Sequence, residues 1–197
     1  MNALEFNDFW SAFYRETIPV SHFFKHDCKQ RWFRIQNLSG SKRIASNKKE
    51  WNVILEQNNK IITDFFGNDS TIYGITGEYD FDGTFDTPEF MKAKVFRGLS
   101  FSALYPINMN RVSPVDYKAG TTFRPYITEL IWKANSHNSL LKEIATGEVS
   151  IFFFSPEKKC IVAPYYGGIE FVLENSQVKE IYQKKYQSLM SIPENVV

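Results

Sequence analysis

Between Thr71 and Leu173 most of the chain reads as β-rich runs broken by turn residues, with one short helical segment among them. The strong helical patterns lie before and after this stretch. Strands that follow one another through short connections pair into an antiparallel or mixed sheet, and amphipathic helices then cover it. The chain therefore reads as α+β: a mostly antiparallel or mixed sheet with N-terminal, central and C-terminal helices packed on it. At 197 residues, residues 1–197 form a single domain on this reading.

Spacing predicts the individual elements. Apolar residues three and four apart (Leu4, Phe6, Phe9, Trp10, Phe13, Tyr14, Ile18) predict a helix over 4–18, ended by Pro19. Val20–Lys29 reads as a loop, and the alternation in Arg31–Leu38 predicts a strand. The clearest helix runs over 48–66, capped by Ser46 or Asn47 and stopped by Gly67. Strands follow at Thr71–Phe81, Val95–Leu104 and Thr121–Trp132, where Pro125 argues for an edge or bent strand. Pro106–Gly120 is irregular on this reading. A short helix at Asn135–Thr146 precedes strands at Val149–Phe154, Cys160–Ala163 and Ile169–Leu173, and a last helix spans about Ser176–Leu189.

Composition removes several function classes. With 43% apolar residues and a net charge of +1, the chain is neither disordered nor surrounded by a field that draws in nucleic acid or anionic lipid. No apolar run reaches the roughly 18 residues of a membrane span. The first residues, with Glu5 and Asp8 and no basic cluster, do not read as a signal peptide, so the expected compartment is the cytoplasm. Cys28 and Cys160 then read as two reduced thiols. Aromatic residues are the outlier at 16%.

Motifs for chemistry are sparse. His22 and His26 are four apart but lie outside any H-E-x-x-H pattern, and read as loop histidines rather than ligands. Asp80-Phe81-Asp82-Gly83-Thr84-Phe85-Asp86 imitates a calcium loop but lacks the glycine at position six and the glutamate at twelve. There is no G-x-S-x-G, no P-loop and no G-x-G-x-x-G. The segment Asp80 to Glu89 reads instead as an acidic surface loop. Lys42, Arg43, Lys48 and Lys49 form a basic stretch suited to phosphate or an acidic protein surface.

Two segments carry a resemblance. The first is Arg34-Ile35-Gln36-Asn37-Leu38-Ser39-Gly40-Ser41-Lys42-Arg43, followed by a helix ending in Phe65-Phe66-Gly67. The second is Pro164-Tyr165-Tyr166-Gly167-Gly168-Ile169-Glu170 after a strand hairpin. Together they resemble a family of uncharacterised bacterial proteins, a domain of unknown function, with the patterns R-I-H-S-L-P-x-S-K-R and P-Y-D-G-G-x-D. Arg34, Lys42, Arg43, Tyr165, Gly167 and Gly168 match. Gln36 stands in place of the histidine, Ser39 in place of the proline, and Tyr166 and Glu170 in place of the two acids. The resemblance spans most of residues 30–190 and implies no known reaction. Members of this kind are similar to small proteins encoded near bacterial toxins, which implies an immunity role by analogy.

The expected function is thus that of a cytoplasmic immunity protein, binding and neutralising a cognate toxin. Its partner-binding residues on this reading are Asp80, Asp82, Phe85, Asp86, Glu89 and Phe90, an acidic and aromatic loop facing a cationic cleft. The alternative is a small-ligand-binding protein or an enzyme of unknown reaction, with Arg34, Lys42, Arg43, Tyr165 and Tyr166 lining a cleft. Neither reading calls for a cofactor, a metal, nucleic acid or a membrane.

Overall fold

The computed structural model describes residues 1–38, 45–81, 83 and 88–190. The strands are β1 (Trp32–Gln36), β2 (Ser70–Asp80), β3 (Phe101–Ala103), β4 (Ile107–Asn108), β5 (Thr122–Trp132), β6 (Phe152–Ser155), β7 (Cys160–Tyr165) and β8 (Gly168–Val172). They form one sheet in the order β1-β8-β7-β6-β2-β5-β3, with β4 also paired to β5. Every pairing is antiparallel. The helices are α1 (Ala3–Phe13), α2 (Phe24–Asp27), α3 (Lys48–Phe66), α4 (Met109–Val112), α5 (Asn138–Thr146) and α6 (Ser176–Lys185). The fold is α+β, as the order of elements predicts. Among the described residues no helix is long and apolar enough to cross a membrane.

Strand alternation divides the core into two layers. Phe33, Ile35, Ile72, Leu130, Trp132, Phe153, Val162, Ile169 and Phe171 point to the face covered by α3, α5 and α6. Ile75, Ile127, Phe152, Phe154, Ile161 and Val172 point to the other, where Phe6, Trp10 and Tyr14 meet Phe24. The long helix α3 begins where the Asn47 side chain accepts the Glu50 N–H at 3.0 Å. It buries Ile54, Asn58, Ile61, Ile62, Phe65 and Phe66, a stripe at helical spacing. Gly67 ends it at φ +87°, a value that a side chain disfavours.

Five segments differ from the sequence reading. Pro106–Gly120, read as irregular, holds β4 and the one-turn α4, which starts where the Asn108 side chain accepts the Arg111 N–H. Helix α1 stops at Phe13 rather than reaching Ile18, because the Trp10 indole N–H donates to the Thr17 carbonyl at 2.8 Å and turns the chain back. The expected loop after Pro19 contains a 3-10 turn at Ser21–Phe23 and the one-turn α2, where Phe24 is fully buried. Most of Val95–Leu104 is not strand. Two 3-10 turns, Glu89–Lys92 and Lys94–Phe96, precede Gly98 at φ +87°, and only Phe101–Ala103 pairs. Pro125 lies inside the sheet between β2 and β3 rather than on an edge strand. Its carbonyl accepts the Leu104 N–H at 2.9 Å, so its main chain faces β3 just where β3 ends. The missing N–H therefore costs no bond to β2.

Cys28 and Cys160 are both free and buried. Burial pushes each thiol up to about 12 from an ordinary 9.0, with the Glu16 carboxylate reinforcing the effect at Cys28. A thiol that ionises later when folded favours the native state below the unfolded value and loses that advantage above it. Stability is thus expected to fall as pH climbs from about 9 towards 12. At pH 8 a thiol-specific reagent is expected to label neither cysteine in the native protein and both in denaturant. Rapid native labelling would contradict the buried placement.

Candidate functional site

The central strand β2 is flanked unequally. Strand β5 pairs with its whole length, from Ser70 to Asp80, whereas β6 pairs only with Tyr73, Gly74 and Ile75. Beyond Ile75 the chain of residues 148–151 leans away, and the Thr76 hydroxyl donates to the Ser150 carbonyl at 2.7 Å. Two clefts open on either side of this divergence.

The larger, of about 320 Å³, lies on the α3 and α5 face and is lined by Glu78, Glu89, Phe90, Glu148, Val149 and Ser150, among others. Glu78 reaches it because residues 72, 74, 76 and 78 share one side of the strand. Its Oε1 accepts the Phe90 N–H, which fastens the 3-10 turn at Glu89–Lys92 to the strand. Glu89 is exposed and bonded to Lys92 at 3.0 Å. Phe90 is partly buried, edge-on to Phe96 and Phe101 at 5.9 and 5.2 Å. Among the described residues that line the cleft there are three carboxylates and no cation, with Lys92 just outside it on Glu89.

The smaller cleft, of about 140 Å³, lies on the opposite face among Val20, His22, Ile75, Tyr79, Phe123 and Phe152. Here the Tyr117 hydroxyl sits 3.2 Å from His22 Nε2 and 3.2 Å from the Tyr79 hydroxyl. Burial lowers the His22 pKa and raises that of Tyr79, so both are neutral near pH 7. A neutral imidazole in a phenol chain can pass or accept a proton, and it makes this cleft apolar with a polar rim.

Asp80, expected as an exposed partner contact, is only 3% exposed. One carboxylate oxygen accepts the Gly83 N–H at 2.7 Å and the other accepts from Arg124 Nη2 at 2.6 Å. It anchors the start of the acidic loop to β5. Asp80→Ala is expected to cost about 2–4 kcal/mol, because it deprives a part-buried guanidinium and a loop N–H of the same acceptor. Asp80→Asn, which keeps the Gly83 bond, is expected to cost about half as much. Urea denaturation measures both. Asp82, Phe85 and Asp86 lie outside the described residues, as do Lys42 and Arg43.

The two segments that carry the resemblance meet on neighbouring strands. Arg34 lies directly opposite Glu170, and Gln36 opposite Gly168, which also pairs with Tyr165. Asn37 N–H donates to the Gly167 carbonyl at 3.2 Å. Gly168 is required: a Cβ there would lie 1.9 Å from the Ile35 carbonyl oxygen. Arg34 and Glu170 face the α1 and α2 side, where burial raises the Glu170 carboxyl pKa against the opposing pull of Arg34, Lys25 and His26. The Trp32 Nε1 proton also favours the ionised carboxylate by proximity, though it makes no hydrogen bond of ordinary geometry. Tyr165 and Tyr166 meet edge to face at 5.7 Å, with Tyr166 exposed. This cluster and the acidic cleft sit on opposite faces of the sheet.

Sequence reasoning missed Glu78, Glu148, His22, Tyr79 and Tyr117 as cleft residues. Glu78 carried one signal, a charged residue inside a strand pattern. The others come from a strand, a 3-10 turn and two loops, and are brought together only by the tertiary fold. Among the described residues no group of three or more His, Cys, Asp or Glu side chains is placed to hold a metal.

The family described as Domain of unknown function (DUF3885) matches residues 20–192 of the chain. No curated protein and no solved structure matches it.

Proposed function

The chain belongs to DUF3885, a family whose description assigns no activity, and we propose that this protein acts by binding another protein through the acidic cleft beside β2. The observation that carries the reading is the cleft itself: a concavity of about 320 Å³ lined by Glu78, Glu89 and Glu148, with Phe90 and Val149 as apolar wall. Such a surface favours a cationic partner and speeds its approach. Phe81, 71% exposed just beyond β2 and stacked on Tyr79 at 5.9 Å, adds an aromatic anchor on the opposite face, beside the smaller cleft. The partner on this reading is a toxin that the protein neutralises in the cytoplasm, a role that comes from the resemblance to proteins encoded near bacterial toxins. Co-expression with the products of neighbouring genes tests it. One of them is expected to arrest growth alone, to be silenced by this protein and to co-purify with it. A neighbourhood whose products are all harmless and unbound would overturn it.

A second reading is favoured by the convergence of the motif segments. Arg34 lies opposite Glu170 on one sheet face, within electrostatic reach of Lys25 and His26, with Tyr165 at the end of β7 and Tyr166 on the turn beyond it. A small ligand carrying an anionic group and a hydrogen-bond donor suits that set. A thermal-shift screen of such compounds is expected to find one whose stabilisation disappears in Arg34→Ala; an unchanged shift in that variant would exclude the site.

A further inference from the structure

The way β6 leaves β2 exposes main chain as well as side chains. In an antiparallel sheet, successive residues turn their N–H and C=O groups to alternate sides. The Pro125 carbonyl bonds to Leu104, so residue 125 faces β3, and Arg124 and Tyr126 face β2. Their partners across that ladder are Glu78 and Thr76. Gly77 and Tyr79 must therefore turn their N–H and C=O groups the other way, towards the space that β6 has vacated. Among the described residues no main-chain bond is made to them from that side, since β6 pairing stops at Ile75 and the Ser150 carbonyl is taken by the Thr76 hydroxyl. Both residues are only half-buried. This is an unpaired stretch of a long central strand, the kind of edge that a second chain can extend.

We propose, resting on the protein-binding reading above, that the partner inserts an extended segment here as an added strand, pairing its main chain with Gly77 and Tyr79. The walls say what segment fits. Successive side chains of an added strand point to opposite faces of the sheet. One set enters the cleft of Glu78, Glu89 and Glu148, which calls for lysine or arginine. The other set enters the cleft of Val20, Phe123 and Phe152, which calls for apolar groups. The occupant is thus a short segment alternating cationic and apolar residues. About four residues, at roughly 3.3 Å each, span the open edge. Residue 77 has to be glycine for the strand to run here: a Cβ would lie 2.5 Å from both the Phe123 ring and the Arg124 carbonyl oxygen.

Three labelled hexapeptides test the proposal on the full chain: one alternating lysine and leucine, one with glutamate for lysine, and the lysine peptide N-methylated at alternate residues. The lysine peptide is expected to bind by fluorescence anisotropy and to slow amide hydrogen exchange at Gly77 and Tyr79 at least tenfold. The glutamate and N-methylated peptides are expected to bind at least tenfold more weakly, the first for want of charge complementarity and the second for want of main-chain donors. Glu148→Lys, on an exposed loop residue, is expected to weaken the lysine peptide by a similar factor. Equal binding of the N-methylated peptide, no binding of the lysine peptide, or binding without slower exchange at Gly77 and Tyr79, would overturn strand addition. None of those results touches the co-expression outcome, so a partner that still rescues growth would leave the protein-binding reading standing without this mode of docking.

Discussion

Replacing Phe171 by alanine is expected to lower stability by about 3–5 kcal/mol, among the largest effects a single core truncation produces. Phe171 is fully buried in β8. It stacks on Phe33 of β1 at 4.7 Å and on Phe65 of α3 at 4.5 Å. Phe65 stacks in turn on Tyr182 of α6 at 4.2 Å. Four rings thus join an edge strand, its neighbour, the long central helix and the C-terminal helix. Removing the ring in the middle loses its burial and leaves a void flanked by rigid partners that cannot collapse into it. Phe171→Leu, which keeps much of the volume, is expected to cost less than half as much. Urea denaturation of both variants measures this. A loss below about 1 kcal/mol for the alanine variant would mean that the stack is not where the helices are held.

Gly168→Ala is expected to be almost as damaging, for the opposite reason. The added methyl would lie 1.9 Å from the Ile35 carbonyl oxygen and 3.2 Å from the Gln36 Cα. Both contacts are main chain, so no side-chain rotation relieves them, and β1 has to separate from β8 at this point. The expected cost is about 3 kcal/mol or more, at the upper end of overpacking effects. The damage has a recognisable location. Amide exchange is expected to quicken through Trp32–Gln36, the whole of β1, while β2 and β5 keep their protection. Because Arg34 pairs with Glu170 two residues away, the same variant is expected to abolish any ligand response at the motif cluster. Unchanged exchange in β1 would show that the strand junction accommodates a side chain after all.

Much of the fold was legible because its elements obey local periodicities. The stripe on α3, its Asn47 cap and its Gly67 stop are all signals within a few residues of one another. The alternation in β1 and the near-continuous apolar run in β6 likewise follow from which faces are buried. Where the reading differed, a long-range contact had overridden local pattern. Ile18 fits the helical spacing of α1, yet the Trp10 bond to Thr17 turns the chain before it. Pro125 looks like an edge residue until the end of β3 is seen to fall beside its missing donor.

The candidate sites divide in the same way. Phe24 falls in the segment read as a loop and is fully buried, whereas Phe13 belongs to the apolar spacing of the N-terminal helix and is 38% exposed. Asp80 reads as the first residue of an acidic surface, but Arg124, forty-four positions away, makes it an internal anchor. Arg34 and Glu170 stand 136 positions apart in the chain, and only the β1–β8 register makes them neighbours. Glu78, Glu89 and Glu148 come from a strand, a 3-10 turn and the loop after α5. No spacing rule connects three such residues, so the acidic cleft could emerge only from the topology.

Charge reversal on the rim of that cleft tests the central claim most directly. Glu89 and Glu148 are exposed and neither supports the core, so Glu89→Lys/Glu148→Lys is expected to fold with ordinary stability. Affinity for the partner recovered by co-expression is to be measured for the native chain and the double variant at low and high salt. The account predicts a loss of at least about tenfold at low salt, mostly erased at high salt as screening removes the attraction that the carboxylates supply. Equal affinity of the two proteins at low salt would contradict it.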